Sequence, residues 1–371
     1  MSNIYDFIVI GGGISACTLA SLLNQKFSDA SILLIEHGRR IGGRATTRKS
    51  RKNKILEFDH GLPSLSFNKN MSKDIVTLIS PLIKSKKLVD ISDDILTINE
   101  FGEISNLSID SKSYRGFPFM INFCEEIINQ STNPKNIHFL FQSLAKSIRR
   151  INNFWEIKVN DYRFIKSKNL ILSSSLIAHP RCLEILQINS LPLRDALSQG
   201  EDEVVDCVLR EIKKQKYITR KIHIFHVMNV SIVHKFGYQY LQIVFSKILR
   251  DNLNFEKMIF QRQSDGSMII SLHCSYLDKL VNINENNFVQ SLIKIFANYQ
   301  IFLDLFTEAR PMDKMNWRAS QPVNHLLPKE LQWSSISNIG FCGDWFDLNC
   351  SGGLETAMSS SIRLANLIQR G

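Results

Sequence analysis

The sequence predicts an α/β protein of two lobes, one built on a doubly wound parallel sheet and the other on a smaller mixed sheet. Two observations predict the first lobe. An apolar strand, a glycine loop, a helix and a second apolar strand follow one another early in the chain, and a strand, a Gly-Asp pair and a helix follow one another near its end. The third observation is the alternating segments between them, typical of half-buried strands. The 371 residues suffice for two connected cores.

The first βαβ unit consists of an apolar strand at residues 6–10, a helix at 14–25 and a strand at 31–35. Both strands are apolar throughout, as in parallel sheets that helices cover on both faces. The helix has apolar residues at helical spacing. We therefore expect a Rossmann-like unit at the start of the chain.

The loop of this unit carries the spacing of a dinucleotide-binding motif. Gly11 permits the tight turn, Gly13 lets the backbone approach a diphosphate, and Ala16 keeps helix and strand close. Glu36 follows the second strand, where an acidic residue accepts hydrogen bonds from a ribose. The sequence therefore favours NAD or FAD over NADP.

A second glycine segment follows Glu36 directly. Gly43 and the flanking Arg40 and Arg44 are suited to a second contact with a diphosphate, because arginine pairs with phosphate oxygens through charge-assisted hydrogen bonds. Gly61 closes a further loop after Asp59 and His60. We expect these segments to lie together around one cofactor.

The middle of the chain predicts an inserted lobe and a second sheet. Residues 69–114 are polar, and a helix is expected at 114–129. A second helix is expected at 287–299. Strands are predicted at 137–141, 148–151, 155–159, 170–173, 223–227, 240–245 and 268–273.

The last segment of the chain again has an apolar strand, a glycine-containing loop and a helix in succession. A strand at 339–342 leads to Asp344, which could hold a polyol hydroxyl, and Gly353 precedes a helix that begins at Leu354 and extends to residue 369. A helix N-terminus stabilises negative charge. Here it would face an electron-rich ring carbonyl, as a reduced flavin requires.

Together these residues resemble the FAD-dependent amine oxidase superfamily, and most closely its renalase-like bacterial NAD(P)/FAD-dependent oxidoreductases. The Gly-Asp-Trp run at Gly343 to Trp345 and the Trp-Arg pair at Trp317 carry the closer likeness. The superfamily motifs match at Gly11 to Ala16, Glu36, Arg40 to Arg44, Gly343-Asp344 and Gly352-Gly353.

The resemblance implies an FAD-binding Rossmann-like domain and a mixed-sheet α+β substrate lobe, both discontinuous in sequence. We expect residues 1–66, 115–180 and 334–371 in the FAD-binding domain, and residues 67–114 and 181–333 in the substrate lobe.

The resemblance also implies noncovalent FAD and oxidation of a small amine or a reduced nicotinamide, NAD(P)H, with O2 as electron acceptor. By position, Ser15, Arg44, Gly61 and Leu62 would line the cofactor, and Ala145 would contact the adenine. The sequence departs from the family pattern after Gly61 and at residues 315–320.

Of two alternative functions, one stays open at this point and the other fails. A flavin-binding protein without oxidase activity, in a regulatory or interaction role, accounts for the departures. An NAD-dependent dehydrogenase does not explain Gly343-Asp344.

Trp317 and Trp345 could form a wall of the flavin site or belong to the core. We nominate no catalytic residue, because the histidines, His273 among them, are typical of structural positions within strands.

Composition restricts the partners. A chain with 44% hydrophobic and 22% charged residues is globular, which excludes disordered, collagen-like and coiled-coil proteins. The net charge of +10 is dispersed, and the basic cluster at 210–221 is typical of a solvated face, so we expect no nucleic-acid partner.

No apolar run reaches the roughly 20 residues of a membrane span, and no leader segment is evident, so we expect a cytoplasmic protein without a membrane partner. The seven cysteines form no CxxC pair, so no metal site is predicted.

Overall fold

The computed structural model describes residues 4–50, 53–67, 71–107, 112–160, 163–276, 285–346 and 353–369. In that part of the chain the strands follow one another in this order: β1 (Ile4–Ile10), β2 (Ile32–Ile35), β3 (Thr47–Lys49), β4 (Glu57–Asp59), β5 (Leu65–Phe67), β6 (Leu88–Asp90), β7 (Ile95–Ile98), β8 (Ile104–Asn106), β9 (Lys112–Gly116), β10 (Ile137–Leu140), β11 (Ala145–Ile151), β12 (Phe154–Val159), β13 (Arg163–Leu172), β14 (Tyr217–Val227), β15 (Tyr240–Phe245), β16 (Phe255–Arg262), β17 (Met268–Tyr276), β18 (Arg310–Pro322), β19 (Trp333–Ser334) and β20 (Ile339–Phe341).

The α-helices of the described residues complete a mixed α/β fold. In chain order they are α1 (Ile14–Lys26), α2 (Lys73–Lys84), α3 (Met120–Asn129), α4 (Arg181–Leu186), α5 (Pro192–Ala196), α6 (Glu203–Ile212), α7 (Val230–Phe236), α8 (Lys247–Leu253), α9 (Glu285–Ile295), α10 (Gln300–Glu308) and α11 (Leu354–Leu367).

The first large sheet has a Rossmann-like parallel region. Strands β10, β2, β1, β13 and β20 are hydrogen-bonded in that order and run parallel, while β12 and β11 continue from β13 as antiparallel strands. The strand predicted at 170–173 therefore does join the first βαβ unit, and so does the one predicted at 339–342. The predicted fold class is confirmed.

Both faces of this sheet are covered, as the apolar strands predicted. Phe7 and Val9 of β1 pack in a core with residues of α1, α3 and α11. Ile8 and Ile10 point the other way, into a second core that includes residues of β12, α5 and α6. Because successive side chains of a strand alternate between faces, one strand contributes to both cores.

The second large sheet is mixed, with strand order β18-β14-β17-β16-β15-β7-β8. Only β15 and β7 are parallel; the other neighbours are antiparallel. Helices α7, α9 and α10 supply Phe236, Phe288 and Phe302 to the core on one face. Segments 67–114 and 181–333 both contribute strands to this sheet. The division of the chain into domains at those boundaries stays a prediction.

Three expected helix boundaries are wrong. The helix expected at 114–129 begins only at Met120, because the backbone of β9 pairs with β5 and β6 instead, and Pro118 has no N–H to donate within a helix. The helix expected at 287–299 spans Glu285–Ile295, and α10 follows as a separate helix. The last helix ends at Leu367 rather than at residue 369.

Candidate active site

A cleft of about 370 Å³ opens at the carboxyl ends of the parallel strands and faces the second sheet. Loops that follow β1, β2, β13 and β20 line one wall, and residues of β14, β16, β17 and β18 line the other. Doubly wound sheets bind ligands at this edge. The volume lies within the range of small-molecule and cofactor sites.

The two glycine segments predicted from the sequence lie against each other at the floor of this cleft. The N–H of Gly42 donates to the carbonyl oxygen of Gly12 at 2.7 Å, and Gly13 and Gly42 form a parallel bridge. Gly11, Gly13 and Gly43 line the cleft, and a Cβ added at Gly13 would meet nothing within 4 Å. Backbone N–H groups at the start of α1 are therefore open to a ligand.

Glu36 lies at the end of β2 with its carboxylate fixed on the cleft wall. The carboxylate accepts hydrogen bonds from the N–H groups of Gly12, at 2.7 Å, and of Gly38. Each oxygen retains a free lone pair for a further donor. This geometry suits a hydroxyl donor such as a ribose.

Arg44 and Asp344 connect the motifs from the two ends of the chain. The Arg44 Nη1 donates to the Asp344 Oδ2 at 2.7 Å and to the Ser320 carbonyl oxygen. Gly61 is packed against the backbone of Arg44, with no room for a Cβ, and the N–H of Leu62 donates to the Arg44 carbonyl oxygen at 2.6 Å. All four predicted residues, Arg44, Asp344, Gly61 and Leu62, line the cleft.

The second helix terminus at the cleft is that of α11. Gly353 precedes this helix and Leu354 begins it, and both line the cleft. Gly352, part of the same predicted motif, lies outside the described residues. Ser15 also lines the cleft, where its Oγ lies 2.7 Å from the Oγ of Ser361 of α11.

Three predicted cofactor residues do not line the cleft. Ala16 is fully buried in the core between α1 and the sheet, the packing role predicted for it. The Arg40 side chain lies outside the cleft, 3.5 Å from Glu57. Ala145 begins β11 and is buried in the core on the other face of the sheet.

Sequence reasoning missed three basic residues of the cleft: Arg181, Arg220 and Lys257. The Arg181 guanidinium lies over the Tyr217 ring, 4.2 Å from its centroid, and its Nη2 donates to the Ser175 Oγ at 2.8 Å. The interpretation of residues 210–221 as a solvated face is wrong for Arg220. That side chain lines the cleft, and no local signal in the sequence distinguishes it from its neighbours.

On the second sheet, Arg220 forms a two-point ion pair with Glu256. The Arg220 Nε and Nη2 donate to the two carboxylate oxygens at 2.7 and 2.6 Å. Although burial opposes it, this contact holds the pKa of Glu256 below its ordinary value. His273 lines the cleft beside this pair. Burial, then the charges of Lys257 and Arg220, lower the pKa of His273 well below its ordinary value, so its imidazole is neutral.

Both tryptophans considered from the sequence line the cleft. Trp345 is also part of the core, and its indole N–H donates to the Cys342 carbonyl oxygen at 2.8 Å. Trp317 is partly exposed and stacks on His60, with 5.8 Å between ring centroids. The core interpretation holds for Trp345, and its place against the flavin stays a prediction.

Within the described residues, no helix combines the length and the apolar character that crossing a bilayer requires. No three His, Cys, Asp or Glu side chains of the same ranges are grouped so that they could hold a metal ion.

Comparison with known proteins agrees with this geometry. Residues 9–74 match a family described as an NAD(P)-binding Rossmann-like domain. No curated protein sequence matches the chain.

Two solved structures share the fold over its whole length. One, designated a protoporphyrinogen oxidase from Exiguobacterium sp. 255-15, is 11% identical, with 99% of each chain covered and a TM-score of 0.63. The other, a fatty acid isomerase from P. acnes described as CLA-producing, is 9% identical, with 100% of each chain covered and a TM-score of 0.62. At these identities the likeness establishes the fold alone: a mixed α/β architecture that contains a Rossmann-like domain.

Proposed function

We propose that this protein is an FAD-dependent oxidoreductase that binds FAD noncovalently. The observation that carries the proposal is the meeting of Arg44 and Asp344 in one cleft, because it brings the N-terminal and C-terminal motifs to a single ligand site. A Rossmann-like domain of the matched kind is typical of FAD-dependent oxidoreductases.

The residues of the cleft fit this cofactor. Its floor is glycine backbone without side chains, and the N-termini of α1 and α11 both open onto it. Its lining includes two more basic than acidic side chains: Arg44, Arg181, Arg220 and Lys257 against Glu36 and Asp344. A diphosphate needs such a positive environment.

Each residue has a role in holding the cofactor. Glu36 would accept the hydroxyls of the adenosine ribose, and Asp344 would accept a hydroxyl of the ribityl chain. Arg44 and the N-terminus of α1 would face the diphosphate. The N-terminus of α11 would stabilise negative charge on the ring. Bound FAD supplies hydride acceptance.

The substrate we propose is a small amine or a reduced nicotinamide, which gives up a hydride, with O2 as the final electron acceptor. The resemblance to the amine oxidase superfamily and its renalase-like members supports this reaction. We assign no catalytic residue. We place the protein in the cytoplasm, with a small molecule rather than a nucleic acid or a membrane as its partner.

The cofactor can be identified directly. Purified protein is denatured, and the released small molecules are analysed by mass spectrometry, with FAD expected together with an absorbance band near about 450 nm before denaturation. Glu36→Gln should retain less FAD than the wild type, because it loses the charged acceptor. Glu57→Gln, which alters a carboxylate outside the cleft, is the matched control. Protein that contains no FAD and cannot be reconstituted with it contradicts the proposal.

The reaction is tested separately. FAD-loaded protein is mixed without oxygen with NADH, with NADPH and with a panel of small amines, and bleaching of the flavin band is followed by stopped flow. Readmission of O2 should restore the band. If every compound leaves the FAD oxidised, the flavin-binding role without oxidase activity replaces the proposed reaction.

A further inference from the structure

Two polar side chains, His273 and Lys257, lie on the second-sheet wall of the cleft. His273 is 1% exposed and its Nε2 has no hydrogen-bond partner there. Lys257 lies directly opposite His273 in the β16–β17 register, and its charge interacts with that of the neighbouring Glu256. Both line the cleft. A buried polar atom without a partner is costly, so an unoccupied donor that faces a cavity points to a ligand.

A β-bulge explains why charged groups collect at this point. Phe255 of β16 pairs with Cys274, and Lys257 pairs with His273, so Glu256 is the extra residue of the bulge. The bulge lets Glu256 reach Arg220 while Lys257 still lines the cleft. Bulges often redirect a side chain at an active site in this way.

Arg220, Glu256, Lys257 and His273 form a cluster on this wall, and its charges leave one positive charge unmatched. Arg220 and Glu256 neutralise each other through two hydrogen bonds. His273 is neutral, because burial and its cationic neighbours lower its pKa well below the ordinary value. The two cations, Arg220 and Lys257, and the single carboxylate of Glu256 therefore leave the cluster with one net positive charge. Burial lowers the pKa of Lys257 although the charge of Glu256 opposes this effect, and an anion bound beside Lys257 would oppose it further.

The cluster is adjacent to the cofactor residues. The Arg220 Nη1 donates to the Ser320 Oγ at 2.9 Å, and the carbonyl oxygen of the same Ser320 accepts from Arg44. A ligand held by Lys257 would therefore extend toward the Arg44–Asp344 pair. Trp317 and Ile222, from the neighbouring strands, provide apolar surface for its organic part.

We propose that Lys257 and His273 bind the carboxylate of an organic-acid substrate at the second-sheet wall of the cleft. One ammonium and one imidazole N–H match the two oxygens of a carboxylate, and one unmatched positive charge matches its single negative charge. The inference deepens the proposed function, on which it rests for the chemistry that follows binding: of the two proposed substrates it selects the amine, as one that also carries a carboxylate, because a reduced nicotinamide has none.

The test measures binding rather than turnover. Protein as purified, with its FAD content determined on the same sample, is titrated with acetate, hexanoate and benzoate by calorimetry, and with the corresponding uncharged amides. At least one acid should bind, and its amide should bind about tenfold more weakly or not at all, because the charge-assisted hydrogen bond is lost.

Substitutions at Lys257 and His273 test whether these two residues bind the acid. Lys257→Met should weaken binding of the acid about tenfold or more, while Lys257→Arg should retain most of it. His273→Phe should weaken it, and His273→Gln, which keeps an N–H donor, should restore part of it. Lys314→Met is the matched control: it removes the same charge from an exposed position of the second sheet and should bind the acid as the wild type does.

The outcomes separate the two proposals. If none of the acids binds, or if Lys257→Met and Lys314→Met behave alike, the carboxylate site is wrong, whatever the FAD content. Inorganic phosphate is titrated as well, and tighter binding of phosphate than of every carboxylate would overturn the assignment to a monoanion. Acid binding that depends on Lys257 in protein that cannot bind FAD would support the site and contradict the proposed function.

Discussion

His60 should contribute to the pH dependence of this protein's stability, and His60→Gln should remove that contribution. The imidazole is 2% exposed, stacks on Trp317, and has no hydrogen-bond partner for its Nδ1 among the described residues. Burial, and then the nearby charge of Arg48, lower its pKa from 6.5 to about 4. The folded protein therefore resists protonation of His60 more than the unfolded chain does.

The sign and size of the pH effect on stability follow from this difference between the folded and the unfolded pKa of His60. Since the pKa of His60 is lower in the folded state, its neutral form favours folding fully above pH 6.5, and that contribution is lost as the pH falls from 6.5 toward 4. Between about pH 7.5 and about pH 5 the expected loss is about 2 kcal/mol. Glutamine does not titrate, so His60→Gln should lack this part of the loss.

Urea unfolding followed by tryptophan fluorescence, at several pH values across this range, measures the effect. The wild type should lose about 2 kcal/mol more free energy of unfolding than His60→Gln. Phe58→Leu is the control, because it removes buried volume next to His60 without a titrating group and should lower stability equally at every pH. Parallel pH profiles for the wild type and His60→Gln would refute the reasoning.

Three further substitutions test the packing around the site. Gly61→Ala should lower the free energy of unfolding by about 1–3 kcal/mol in urea and weaken FAD retention, because its Cβ would collide with the Arg44 backbone; a wild-type midpoint would contradict that packing. Arg115→Leu should cost about 3–5 kcal/mol in the same assay, since Asp59, 1% exposed, loses its ion-pair partner at 3.4 Å; Arg115→Lys should lose less. Trp155→Ala should cost about 3–5 kcal/mol by thermal or urea unfolding, because it empties a fully buried position, and a cost below about 1 kcal/mol would show that this core is not closely packed.

The parts of the site that the sequence predicted are those encoded in short, continuous segments. Gly11, Gly13 and Glu36 belong to one βαβ unit, so their spacing alone places them at one sheet edge. Gly353 and Leu354 could be predicted for the same reason, as the start of a helix after a glycine. In each case local geometry determines where the residue lies.

The other wall of the cleft could not be predicted in this way. Lys257 and His273 meet only because β16 and β17 pair in one register with a bulge at Glu256. Alternation along β17 indicates that His273 and Cys274 point to opposite faces, yet it does not indicate which face meets the cleft. That depends on the packing of the two sheets, which single strands do not encode.

Tertiary pairing also explains the error at the start of α3. The helical spacing of Phe117, Ile121 and Cys124 predicts a helix that begins as early as Tyr114. In the structure Tyr114 pairs with both Leu65 and Asp90 in a three-stranded sheet. Partners about 50 and 25 residues earlier in the chain decide the conformation, and periodicity within one segment cannot report them.

The contact between α1 and α11 has a consequence for the order in which the protein matures. Ser15 and Ser361 are 346 residues apart in sequence, and the Lys26 ammonium donates to the Ala365 and Ile368 carbonyl oxygens at the end of α11. During synthesis the first βαβ unit leaves the ribosome long before β20 and α11 exist, so its glycine loop must wait for the last segment of the site. Contacts of such high sequence separation form late in folding. Cofactor capture is therefore expected after translation, and a nascent chain stalled before residue 339 should not hold FAD.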